Sequence, residues 1–477
     1  MKTKTQKSKS PAADPNTPPA LVRFMMQDWR PTAKKLPPRI GNAAVFAKRR
    51  AVLSTHFPGD TLVIPTGSEK VRANDTHFRF RAGSDFYYLT GNLEPDCVLV
   101  LTPELKGPHR SHLFVEPNPG KTSSTFFTDR HKGELWVGQR LGVTQSCARY
   151  GVDEAHPLDE LNVFLKQHRR MRVLRGFESK LDANRSTAAH DKADQLLATT
   201  LSEMRLLKDK LEIAELELAI ASTKRGFEDV IRTIPSASSE REIEGVFAMR
   251  ARNEGNDVGY GIIAAAGANA CILHWTHNNA ALKAGDLLLL DAGVEGHCLY
   301  TADITRTLPL SGKFSPAQRE IYDLVHQAHQ AAMAAVKPSS DFLDPNRSAM
   351  RVLAHGLERL GILPMPADEA LKDENLFYKR YSLHNVSHML GLDVHDCAKA
   401  RQENYRYGKL KAGMVLTIEP GLYFQNDDLT VPAKYRGIGI RIEDDVVVTP
   451  RGCRNLSEDI PTQVDEIEAW MRQVQNR

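Results

Sequence analysis

Residues 284–310 read AGDLLLLDAGVEGHCLYTADITRTLPL, two strand-like runs around a turn, each carrying an aspartate. Asp291 follows four leucines, so its strand is buried and its carboxylate lies at the edge of a core. Asp303 opens the second run, and Thr305, two residues on, shares its face. Acids are unfavourable within strands unless something compensates them.

Two further stretches repeat the pattern. Glu419 ends the apolar run VLTIE (415–419), and in GIRIEDD (439–445) Glu443 shares a face with Arg441. Any one of these acids alone fits a turn or a surface position. Four together are different, because a buried carboxylate without a partner costs several kcal/mol. Only Arg306 and Arg441 are near in sequence, which is too little positive charge. Two divalent metal ions would balance the four carboxylates. A carboxylate-rich donor set with one imidazole suits Mn2+ best, with Zn2+ or Co2+ also admissible.

The imidazole comes from LHNVSHMLGLDVHD (383–396), which holds His384, His388 and His395. The first two stand at the i, i+4 spacing of a helical zinc pair. However, Asn385 occupies the place of the Glu in H-E-x-x-H, and Gly391 and Val394 suit a strand or turn.

Around these stretches the chain reads as a mixed α/β (α+β) protein of two domains. DTLVIPTG (60–67), DFYYLTG (85–91), DCVLVLTP (96–103) and SHLFVEP (111–117) are expected as strands. A long amphipathic run at 204–234 opens a second pattern, and a helix is expected from Ser315, capped by Ser315 and Gln318 and ended by Pro338. The last third returns to strands at 414–424 and 437–452, with a final helix near 462–475. The expected organisation is a disordered tail over 1–38, an N-terminal domain over 39–200 and a catalytic domain over 201–477.

DAG, DITRT, SHMLGLDVHD, TIEPGLY and RIEDD, in this order, resemble the pita-bread metallopeptidases of family M24. The nearest branch is the Xaa-Pro aminopeptidases, with prolidases beside it. FRAGSDFYYLTG (80–91) is similar to their creatinase-type N-terminal domain. The resemblance implies a pita-bread catalytic domain and a dinuclear-metal aminopeptidase that cleaves between an N-terminal residue and a following proline. It implies Asp291, Asp303, His388, Glu419 and Glu443 as metal ligands, with Glu419 also moving a proton. His384, His395 and His274 would act on the substrate, and Arg441, Tyr423 and Thr305 would support the site. The alternatives are prolidase activity on Xaa-Pro dipeptides and a non-catalytic pita-bread binding module. The pattern departs once. Eleven residues, 292–302, separate Asp291 from Asp303, one more than in the family. The surplus is expected in or beside EGHC (295–298) as a longer turn or bulge that leaves the acids in register.

Composition narrows the partners. A net charge of +4 over 477 residues, without a dense basic stripe outside the first ten, argues against nucleic acid. No apolar run approaches membrane-spanning length. Six cysteines without a C-x-x-C pair suit a reducing compartment. A cytoplasmic enzyme acting on peptides with proline in second position is expected, and the resemblance implies a homo-oligomer, dimer or tetramer.

Overall fold

The computed structural model describes residues 17–30, 35–183, 185 and 187–476, which divide into two compact units, one up to Leu201 and one from Ser202 onward. Of the expected tail, 1–16 and 31–34 lie outside the described residues, while Pro19–Met25 forms a short helix.

The first unit is built on a five-stranded sheet in the order Glu154–Pro157, Arg110–Val115, Val98–Thr102, Thr61–Pro65, Met171–Val173. The inner pairs are antiparallel and the two outer pairs parallel. Thr61–Pro65 and Val98–Thr102 are buried at every residue, which is why they read as continuous apolar runs. DFYYLTG is a correction to the sequence reading. Ser84–Thr90 is a helix, buried at every residue, so no polar face marked its period. Gly91 ends it in the left-handed region at φ 66°, and its N–H donates to Tyr87 O. A Cβ at Gly91 would also lie 2.4 Å from the Phe46 ring.

The second unit also departs from the expected continuous run at 204–234. One helix ends at Arg205 and the next spans Lys210–Thr233. The restart is set by Asp209, whose side chain accepts from Glu212 N while the Glu212 side chain accepts from Asp209 N. This helix buries Leu216, Ile220, Phe227 and Ile231, and Phe227 meets Phe247 of the Glu240–Glu254 helix edge to face. The Pro316–Ala335 helix begins as expected, with Ser315 and Gln318 forming a capping box, and the closing helix spans Val464–Gln475.

Two three-stranded antiparallel sheets carry the acids. One orders Ile304–Pro309, Leu287–Ala292, Ile263–Ala266; the other orders Val415–Ile418, Asp444–Thr449, Gly452–Asn455. A two-stranded pair, Gly421–Tyr423 with Gly439–Arg441, lies in sequence between the strands of the second. An isolated bridge between Thr305 and Glu443 joins the first sheet to the segment leading into Asp444–Thr449. The long turn after Asp291 is residues 296–300, closed by a bridge between Glu295 and Thr301. Within it Leu299 adopts φ 64° and donates its N–H to Gly296 O. Beyond the turn, Ala292 pairs with Ile304 and Asp291 with Thr305.

Candidate active site

A cavity of about 710 Å³ opens in the second unit. Asp291, Asp303, Glu419, Glu443, Arg441, His274, His384, His388 and His395 all line it. Strand alternation selects which acids and bases reach it. Thr305 faces Glu443, whereas Arg306 turns away to Asp444, 2.6 Å from Nη2, so Arg306 is not a site cation.

Asp303, His388 and Glu443 come together, each offering a donor atom within 4.8 Å of the others. His388 Nε2 lies 3.2 Å from Asp303 Oδ2 and 3.5 Å from Glu419 Oε1. Asp291 lies beside them and is held from two sides. Tyr260 OH donates to Oδ1 at 2.6 Å and Arg441 Nη2 donates to Oδ2 at 2.5 Å. Arg441 also donates to Tyr423 OH at 2.9 Å and to Thr305 Oγ1 at 3.2 Å, and Thr305 donates to Glu443 at 2.6 Å. One guanidinium therefore ties three of the expected residues together.

The histidines divide between two environments. His384 is ringed by Tyr423 OH, 2.7 Å from Nε2, and its own neighbour's carbonyl, Asn385 O, 2.9 Å from Nδ1. Burial and the nearby Arg441 charge push it down to about 4, so the ring is neutral at pH 7. Burial works against the His388 cation too, but the Asp303 hydrogen bond and the Glu419 charge outweigh it and raise His388 to about 9. His395 packs its ring edge-on, 4.3 Å from that of His388. His274 stands exposed at the rim, in the loop after Cys271.

The carboxylates raise one another. Burial raises Glu419 to about 7, opposed by His388 and Arg441. Burial and the neighbouring Asp303, Glu419 and Asp291 charges push Glu443 well above the usual carboxylate range. Burial likewise raises Asp291, against the pull of Arg441. Acids that raise one another in this way are short of positive charge, and divalent metal ions fit the deficit. The donors fit as well, being carboxylate oxygens with one imidazole.

Three contributors escaped the sequence reading. Tyr260, between two glycines in GYG (259–261), gave no periodic signal. Asp445 was readable, since a period of two places it on the face of Glu443. Its Oδ2 accepts from Asp303 N at 3.1 Å, and its buried Oδ1 has no hydrogen-bond partner. Thr417 Oγ1 accepts from His388 N at 3.2 Å and so fixes the backbone of that loop.

The chain matches two family models, Metallopeptidase family M24 over residues 214–450 and Aminopeptidase P, N-terminal domain, over residues 46–173. It is 47% identical over 459 residues to Xaa-Pro aminopeptidase 1 of Streptomyces coelicolor, covering 96% of this chain and 93% of that protein. Among solved structures, the low-pH form of aminopeptidase P from E. coli superposes with a TM-score of 0.82 at 34% identity. That match covers 91% of this chain and 99% of the other. The zinc-substituted E. coli enzyme in complex with product gives a TM-score of 0.82 at 34% identity, covering 92% and 100%.

Proposed function

The chain belongs to metallopeptidase family M24 and carries an aminopeptidase P N-terminal domain, and from that premise we propose that it is a metal-dependent Xaa-Pro aminopeptidase. It releases the N-terminal residue from peptides whose second residue is proline. The observation that carries this reading is the meeting of Asp303, His388 and Glu443 in one cavity with Glu419 and Asp291.

In this reading Asp291, Asp303, His388, Glu419 and Glu443 would hold two divalent ions. The donor set favours Mn2+, with Zn2+ or Co2+ as substitutes. When bound, the ions supply an activated water near neutral pH and Lewis acidity toward the scissile carbonyl. Glu419 would accept a proton and pass it to the leaving proline nitrogen. Neutral His384, with His395, faces the place where charge grows on the carbonyl oxygen. His274 at the rim contacts the peptide. Arg441 holds Asp291 and Tyr423, and Thr305 holds Glu443, in position.

Turnover of an Xaa-Pro-Xaa tripeptide, read together with metal content by mass spectrometry, tests the proposal. Mn2+-dependent release of the first residue is expected. A chain that retains no metal and shows no turnover would be a binding module, and turnover restricted to Xaa-Pro dipeptides would make it a prolidase.

We place the enzyme in the cytoplasm as a homo-oligomer. The cysteines are free thiols, and among the described residues no helix is long and apolar enough to cross a membrane. Light scattering of the purified chain checks the assembly state.

A further inference from the structure

The N-terminal unit brings together a second set of metal-type donors that the reaction does not use. His112 lies in the Arg110–Val115 strand, and Glu154 and His156 lie in the Glu154–Pro157 strand that pairs with it in parallel. The register sets His112 opposite Glu154 and Phe114 opposite His156. Glu154 and His156, two residues apart, therefore share a face.

Three atoms converge. His112 Nδ1 lies 3.1 Å from His156 Nε2 and 3.2 Å from Glu154 Oε2, and His156 Nε2 lies 3.3 Å from the same oxygen. A tetrahedral ion with bonds of 2.0–2.1 Å to nitrogen and oxygen separates its donors by about 3.3 Å. The triangle has that size.

The surroundings suit a cation better than an array of protons. Thr102 Oγ1 lies 3.0 Å from His112 Nε2 and can take that ring's N–H, which leaves Nδ1 a lone pair. Arg110 donates twice to Glu154 Oε1, at 2.9 and 2.6 Å, keeping the carboxylate ionised and directing Oε2 toward the histidines. The rings are fixed as well. His156 stacks on Phe114 with centroids 4.9 Å apart, and Phe164 covers His112 at 4.9 Å.

We propose that His112, Glu154 and His156 form a zinc site in the N-terminal unit, separate from the catalytic metals, with a solvent water as fourth ligand. Glu154–Pro157 is the outermost strand of its sheet, so the ion clips an edge strand to its neighbour. Three protein donors with an open position also bind Co2+ in place of Zn2+.

The test uses the full chain, stripped with a chelator, reloaded with Zn2+ and desalted before metal counting. Wild type is expected to retain one more ion per chain than His156→Ala or Glu154→Gln, with Xaa-Pro-Xaa turnover unchanged in both variants. In a His388→Ala background, which weakens the catalytic site, adding Glu154→Gln is expected to remove one further ion. Reloading with Co2+ should give a tetrahedral visible band that weakens in the same variants. Glu154→Gln keeps the side-chain volume and so serves if His156→Ala fails to fold. Equal ion counts in wild type and Glu154→Gln, with the catalytic metal present, would overturn the proposal and leave the cluster as a hydrogen-bonded one.

Discussion

Arg441 Nη2 donates to Asp291 Oδ2 across 2.5 Å, and both side chains are almost wholly buried. Removing one partner of such a pair costs about 3–5 kcal/mol, because the other charge stays buried and unpaired. Arg441→Met is therefore expected to lower the urea stability of the metal-stripped chain by that amount. Saturating Mn2+ should restore part of the loss, since the ions supply the missing positive charge. A stripped variant as stable as wild type would mean that Asp291 is not charged there.

His384 touches Tyr423 and the Asn385 carbonyl and lies 3.5 Å from Glu419 Oε2, but it is not one of the Asp303, His388 and Glu443 donor cluster. His384→Ala should lower kcat by about 10²–10³-fold, the scale of losing one polar group fixed for the transition state, because the neutral ring accepts from Tyr423 OH and its loss frees that hydroxyl. Bound metal, counted by mass spectrometry, should stay at the wild-type level. Equal loss of both quantities would move His384 into the metal shell.

Much of the site was legible because buried acids in strands need a reason. Asp291, Glu419 and Glu443 drew attention through their apolar neighbours, and a period of two linked Glu443 to Arg441. What stayed hidden followed from burial on all sides or from distance along the chain. Ser84–Thr90 shows no polar face, so its aromatic residues read as a strand. The 204–234 run concealed a break because its apolar spacing continues through it, although Asp209 and Glu212 formed a readable capping box. Tyr260 reaches Asp291 only through a loop 31 residues upstream, a contact that no local pattern encodes.

Glu203 accepts from Arg401 Nε at 2.7 Å and from Asn404 at 2.9 Å, tying a helix end to the segment after the histidine loop. The Arg401 hydrogen bond is the largest influence, and it lowers Glu203 from the ordinary 4.5 to about 2. A carboxylate held below its unfolded value contributes stability above about pH 4.5 and loses it as pH falls toward 2. Arg401 is more than half exposed, so solvent screening limits the pair to about 1 kcal/mol. Arg401→Met should thus unfold at lower urea than wild type at pH 7, with the gap narrowing between pH 4.5 and 2. A gap that is constant with pH would assign the effect to packing.

Gly391 has a different reason for being glycine from that of Gly91, because its φ is not positive. A Cβ at Gly391 would lie 2.2 Å from Asp396 Oδ2 and 2.9 Å from Lys208 Cε. Those two groups form an ion pair at 3.0 Å with side chains no more than 1% exposed, so neither can swing into water. Asp396 N also donates to Met389 O at 2.9 Å, closing the loop that carries His395 and follows directly on His388. Gly391→Ala must displace the pair or the loop, and overpacking of this kind costs about 1–3 kcal/mol. The expected outcome is a lower Tm together with weaker metal retention, because His388 shares the displaced backbone. Lys208→Met, which removes the pair's cation without crowding Gly391, separates the causes. If it leaves metal retention intact while Gly391→Ala does not, then the close approach at Gly391, and not the buried charge, sets the position of His388.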